Sequence, residues 1–204
     1  TGRVLDPRVG KQFEIGAKGD FAEGTLQVSA ALFRTRDKNR AFADAANPGF
    51  FLPLGEVQVQ GWEAEVTGSP LTGLQMTVGY ARLDTKYLRI ANPAQLGTPA
   101  TLFEPRHTLK AYAHYRIAGT PWSVGGGAQI TSGILGTGVA GLREQGGYGV
   151  ASAQLGYQLD ARTAVSLAVS NLLDRNYYAR VGGLNSYNTY GAPRSVTVGL
   201  RTAF

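Results

Sequence analysis

The feature that most constrains this chain is a rhythm. Stretches of about ten residues alternate apolar and polar side chains, and the connections between them are by turns short and long. Strand side chains point to opposite faces with period two, so each such stretch has one greasy and one polar face. Gly10 to Gly19 places Phe13, Ile15 and Ala17 opposite Gln12, Glu14 and Lys18. Leu26 to Leu32 follows after the turn Asp20 to Gly24, and Val57 to Thr67, Leu74 to Ala81, Arg106 to Arg116, Trp122 to Thr131 and Tyr148 to Leu159 behave alike. Ala164 to Leu173 also fits helical spacing. Its neighbours are strands of similar spacing, so a strand is preferred. The last stretch, Arg194 to Phe204, turns Val196, Val198 and Leu200 to one side and ends on an aromatic, as a strand does at a membrane interface.

That makes about nine strands. Short turns fall near residues 20, 70, 119 and 161, and long loops cover 36–49, 85–103, 133–145 and 176–193. A soluble sandwich mixes its turn lengths at both ends, whereas an outer-membrane barrel has short periplasmic turns and long extracellular loops. The expected fold class is therefore all-β, an antiparallel transmembrane β-barrel. Val57 and Val59 precede Gly61 in the opposite phase from Trp62, Ala64 and Val66. A bulge at Gly61, or emergence of the strand from the membrane there, would produce that slip.

Composition excludes other classes. No apolar run approaches the roughly 18 residues of a membrane helix, and the 43% hydrophobic content is that of a chain whose apolar residues sit on every second position. With no Cys there is no disulfide framework. A net charge of +6 invites a nucleic-acid reading, but the longest basic cluster, Arg34 to Arg40, is short and interrupted by Asp37, so no nucleic-acid partner is expected. Gly136 to Gly141 matches G-x-G-x-x-G, yet no helix follows to face a pyrophosphate, which leaves a flexible glycine loop. Glu63 and Glu65 read as charges on a polar lumen wall with Glu14, Lys18, Lys110 and Arg201, and His107 and His114 as solvated or hydrogen-bonded histidines.

Several stretches together carry a family resemblance. Asn171-Leu-Leu-Asp-Arg-Asn-Tyr-Tyr178, then Tyr190-Gly-Ala-Pro-Arg194 and the terminal strand to Phe204, resemble the C-terminus of TonB-dependent ferric-siderophore receptors. Gly10 to Lys18, Gly55 to Glu65, Gly79 to Thr85 and Pro105-Arg-His107 resemble the same family in the same order. The resemblance implies a 22-stranded barrel of the Gram-negative outer membrane, filled by an N-terminal plug. Such a receptor binds an iron-siderophore chelate from outside and draws energy through the TonB complex. Residues 1–204 would then be about nine C-terminal strands of the larger barrel, the last two-fifths of a receptor without its plug. Iron would arrive already chelated, so no cofactor and no protein ligand to metal is expected, and the function is binding and transport, not catalysis.

The aromatic and basic loop 176–193 is the candidate ligand site. Tyr177, Tyr178, Tyr187 and Tyr190, with Arg180 and the flanking Arg175 and Arg194, offer stacking surface, hydrogen bonds and positive charge. Tyr177 and Tyr178 could equally belong to the upper aromatic girdle. Tyr87 and Phe103 flank another long loop and join the candidates. Two other functions stay open: a structural or passive-pore barrel, closing by self-association, and a soluble β-sandwich enzyme.

Overall fold

A computed structural model describes residues 4–44, 47–138, 141–182 and 187–203. The framework is one antiparallel meander of nine strands in the order β1-β2-β3-β4-β5-β6-β9-β10-β13. The strands are β1 (Val9–Phe21), β2 (Leu26–Ala43), β3 (Phe51–Leu71), β4 (Leu74–Arg89), β5 (His107–Arg116) and β6 (Trp122–Thr131), then β9 (Tyr148–Gln158), β10 (Thr163–Ser170) and β13 (Ser195–Thr202). Two small hairpins stand in the long loops: β7 (Ile134–Gly138) with β8 (Gly141–Gln145), and β11 (Tyr178–Arg180) with β12 (Thr189–Tyr190). A single 3-10 turn, Pro93–Gln95, is capped by the Asn92 side chain. Phe204, where the terminal aromatic was expected, lies outside the described residues.

Register turns nine separate alternations into one surface. Residues directly opposite in antiparallel strands share a face. Ile15 lies opposite Leu32 and Leu32 opposite Trp62, and the row Ala64, Tyr80, Leu109, Ile130 runs on across the middle strands. On the same face Val124 lies opposite Leu155, and Leu155, Leu167 and Val198 form a second row to the last strand. Ile15 is 61% exposed, Leu32 58% and Val198 72%. Only Val57, Ile134 and Val181 are buried apolar residues among those described. An apolar face of this extent has no solvent counterpart in a soluble monomer, so it is a lipid-facing surface. The opposite face carries Glu14, Glu63, Glu65, Lys110 and Tyr112, which together line one polar concavity.

Aromatic rows edge the apolar belt at both ends. Trp62 and Tyr80 pack at 4.8 Å between ring centroids, and a 2.6 Å hydrogen bond joins the Tyr80 hydroxyl to His107 Nδ1. At the short-turn end Trp122 meets Tyr157 edge to face at 4.5 Å. The short turns are built for tightness: Ala22, Glu23 and Gly24 all have positive φ, and Asp160 accepts from the amides of Arg162 and Thr163 at 2.7 and 2.8 Å.

Four expectations need correction. Residues 36–43 and 85–89 are not loop but strand, because β2, β3 and β4 run far past the membrane. β3 alone has 21 residues, roughly 70 Å of strand where about ten residues cross a bilayer. Secondly, no bulge sits at Gly61: Leu32, Phe33 and Arg34 pair without a break with Trp62, Gly61 and Gln60. Emergence explains the phase slip instead. A Cβ at Gly61 would overlap the Arg82 carbonyl and lie 2.9 Å from Phe33 Cζ, so the Phe33 ring rests across the glycine. The register shifts occur higher, around Asn39, which has φ 60°, and between Glu56 and Val57. Thirdly, β10 ends at Ser170, and Asn171 turns the chain with φ 49°, so residues 171–173 do not continue the strand. Fourthly, the G-x-G-x-x-G stretch is not a bare loop: Gly136 belongs to β7 and Gly141 to β8, with residues 139–140 outside the described set.

Above the belt the inner face becomes the packed one. Val57, 1% exposed, lies between its register partners Asp37 and Tyr87. Asp37 receives the Arg8 Nε at 2.6 and 2.8 Å and has Arg40 at 3.6 Å. The 90–106 connection folds back on the same face: the Tyr87 amide donates to Thr98 O at 3.0 Å, and the amides of Ala100 and Thr101 donate to Thr85 Oγ1.

Candidate functional site

The inner faces of β5 and β6 present Thr108 and Lys110 beside Gln129 and Thr131, since these residues pair in register. Loops close over them. The Leu135 amide donates to Leu102 O at 2.7 Å, tying β7 to the 90–106 connection, and the Tyr178 amide donates to Gln145 Oε1 at 2.9 Å, tying β8 to β11. A Cβ on Gly136 would come within 2.7 Å of Gly182 O and of Val181 Cγ1, so only glycine lets these segments touch. The result is a cavity of about 500 Å³ with Lys110, Gln129 and Thr131 on its wall and Tyr148 at its side. Phe103, Glu104 and Arg180 close its upper rim.

This lining combines two cations, a carboxylate, neutral hydrogen-bonding groups and two aromatic faces. It can hold a polar ligand with anionic or hydroxyl oxygens while a flat part lies against Phe103 or Tyr148. Among the described residues no cluster of three or more His, Asp or Glu side chains could grip a bare metal ion.

Of the residues singled out from sequence, Phe103 and Arg180 meet in this cavity although they come from different loops. Tyr178 and Tyr190 also meet: their rings lie 4.6 Å apart and the Tyr178 hydroxyl donates to that of Tyr190 at 3.0 Å. That hydrogen bond holds the Tyr178 phenol above its ordinary pKa, with nearby Arg143 pulling the other way. Tyr177 instead stacks on Tyr148 at 4.2 Å and covers Gly191, whose amide donates to Tyr177 O. Tyr187 projects outward, 94% exposed. Tyr87 stands apart in the β4 extension, edge to face with Phe42 at 6.1 Å, its hydroxyl 3.4 Å from Ala100 O. Glu104 and Tyr148 had no signal in the sequence; Lys110 did, as a charge on the polar phase of its strand.

The loop carrying Tyr177, Tyr178 and Arg180 hangs from Asn171. This residue is 3% exposed; its Nδ2 donates to Arg175 O and Ala192 O at 2.9 and 3.0 Å, and its Oδ1 accepts from the Arg175 amide at 2.8 Å.

Comparison with known proteins places this architecture. Residues 1–172 match the model of a family described as TonB dependent receptor-like, beta-barrel. The chain belongs to this family. As part of a TonB-dependent receptor the sheet is a section of a β-barrel wall in the Gram-negative outer membrane, so the short turns are periplasmic, the long loops extracellular, and the cavity lies at the extracellular end. It is 33% identical to the ferric-pyoverdine M114 receptor PbuA of Pseudomonas sp. strain M114, a match covering 100% of this chain and 25% of the relative. It is 30% identical to the catecholate siderophore receptor Fiu of Escherichia coli strain UTI89, over 93% of this chain and 25% of Fiu. The solved structure of the pyoverdine outer membrane receptor FpvA from Pseudomonas aeruginosa PAO1, bound to pyoverdine, superposes with a TM-score of 0.88 at 26% identity, covering 100% of this chain and 31% of that one. The chain thus spans about a quarter of the length of the curated relatives it matches, less than the two-fifths expected from counting strands.

Proposed function

We propose that this chain is part of a receptor that binds a ferric siderophore at the extracellular mouth and imports it by TonB-coupled active transport, with a plug domain contacting the TonB complex. The observation that carries the reading is the mouth cavity, where Lys110 and Arg180 supply positive charge beside Phe103 and Tyr148. Its chemistry fits an iron chelate wrapped in oxygen donors, and relatives matching the whole chain are named as ferric-siderophore receptors. The role is binding and transport, not catalysis, and iron enters inside its chelate as cargo.

The test is uptake of radiolabelled ferric siderophores by cells expressing the full-length receptor, with and without a functional TonB. Uptake of at least one chelate that stops when TonB is lost is the expected result. Uptake indifferent to TonB would mean a passive pore. Within the site, Lys110→Ala and Arg180→Ala should each weaken chelate binding about tenfold, the scale of one charge-assisted hydrogen bond.

A further inference from the structure

The outward face of β1 to β4 changes character just above the Trp62 and Tyr80 row. Register places Lys11 opposite Arg36, with Gln58 and Lys86 continuing that row. Arg34 heads the row below it, Lys38 lies in the row above, and Arg82 faces Trp62. Removing these six from the chain's 20 Lys and Arg leaves 14, equal to its 14 Asp and Glu, so they account for the whole net charge of +6. The basic cluster that the sequence shows around residue 34 is therefore one side of a patch drawn from three strands.

The patch is not neutralised from within. Lys11, Arg34, Arg36, Lys38 and Lys86 form no ion pair with described residues, whereas Asp37, on the inner face, has both Arg8 and Arg40. The carboxylates that these strands add to the outer face are Asp84 and Glu56. Asp84 is already held by Arg82 and Arg106, and Glu56 lies between Lys38 and Arg89, which leaves Lys11, Arg34, Arg36 and Lys86 with no carboxylate directly opposite. Like charges directly opposite across a strand pair are destabilising, so Lys11 against Arg36 is a cost that an external anion would relieve. Directly below, Phe13, Ile15, Leu32 and Trp62 line a groove of about 650 Å³ whose rim carries Arg34, Arg82 and Asp84, the last already paired with Arg82 and Arg106.

We infer that this face binds a phosphate-bearing lipid of the outer leaflet, with acyl chain in the groove and phosphate among the arginines and lysines. The position selects the occupant: cations immediately above an apolar belt and its aromatic row lie at headgroup height, on the wall turned away from the mouth cavity. A free phosphate would leave the apolar half of the groove unused.

The full-length receptor in phosphatidylcholine nanodiscs is titrated with lipid A, with lipid A stripped of its phosphates, and with lipid A in the presence of inorganic phosphate. Binding of lipid A should fall about thirtyfold in R34Q/R36Q, fall also in Lys86→Gln, and stay unchanged in Arg201→Gln, a cation of the opposite face and end. Ferric-chelate binding by R34Q/R36Q should equal that of the parent, which shows the variant folded and separates this inference from the proposed transport function. Equal lipid A binding by R34Q/R36Q and Lys86→Gln and the parent would overturn the inference. So would equal binding of the dephosphorylated lipid, full displacement by inorganic phosphate, or crosslinks from position 34 that capture a protein and no lipid.

Discussion

Replacing Asn171 by Ala should loosen the loop that carries Tyr178 and Arg180 without unfolding the sheet. The side chain is 3% exposed and makes three hydrogen bonds that alanine cannot. At about 1 kcal/mol net for each, the loss is about 3 kcal/mol. The backbone adds to it, since φ is 49° and an alanine held there costs about 1 kcal/mol more than asparagine. About 4 kcal/mol of local stability corresponds to a thousandfold rise in opening. Hydrogen exchange of the Gly191 amide in the intact receptor reads this, because that amide donates to Tyr177 O within the same loop and keeps its acceptor in both variants. Asn171→Gly loses the same bonds but not the backbone preference, so its exchange should be about fivefold slower than that of Asn171→Ala. An Asn171→Ala rate within threefold of the parent would refute the view that this side chain holds the loop. Equal rates for the two variants would refute the backbone part.

Tyr190→Ala should weaken ferric-chelate binding about tenfold through lost aromatic surface and the lost bond to Tyr178, and Tyr187→Ala should weaken it less; unchanged affinity in both, by fluorescence quenching, would remove the tyrosines from the site. Gly61→Ala should cost roughly 3 kcal/mol, since its methyl has only the Arg82 carbonyl and the Phe33 ring to move against; loss of the heat-modifiable folded band in SDS gels is the measure, and a normal band would contradict the packing. Asp160 is held below the ordinary aspartate range, first by the Arg162 amide and then by that of Thr163. A depressed folded pKa means that its contribution is present above the ordinary value and lost as pH falls through the lower one. The 159–163 turn should therefore stay protected from exchange down to about pH 4 and open below it, and Asp160→Ala should open it at neutral pH as well.

Within the membrane the fold was legible because lipid permits only one answer for every second residue. Phe13, Leu32, Trp62 and Val198 declare a face, and register only aligns the declarations. Outside the membrane that rule stops. In β2 to β4 the outer residues become Arg34, Gln60 and Lys86 while Val57 and Val59 turn inward, so a reader following the apolar phase sees a loop where the strand continues. The β7/β8 hairpin is short and carries three glycines, and the β11 and β12 strands have only three and two residues, so neither hairpin has an alternation to read. The site divides in the same way. Lys110 was visible as a charge on a polar phase, and Tyr178 and Tyr190 as aromatics of one loop. The meeting of Phe103 with Arg180, and the diversion of Tyr177 onto Tyr148, depend on how three loops lean together, which no local pattern encodes.

The inversion of phase at Gly61 also acts as a draught mark, setting how deep the molecule floats. Sinking by two residues, roughly 5 Å for a tilted strand, would carry Arg34 and Arg82 into hydrocarbon at about 1 kcal/mol each. Rising by the same amount would lift Trp62, Leu32 and Ile15 into the headgroups. Because β2, β3 and β4 stay paired beyond that waterline, the same glycine sets the height of the extracellular rim above the membrane.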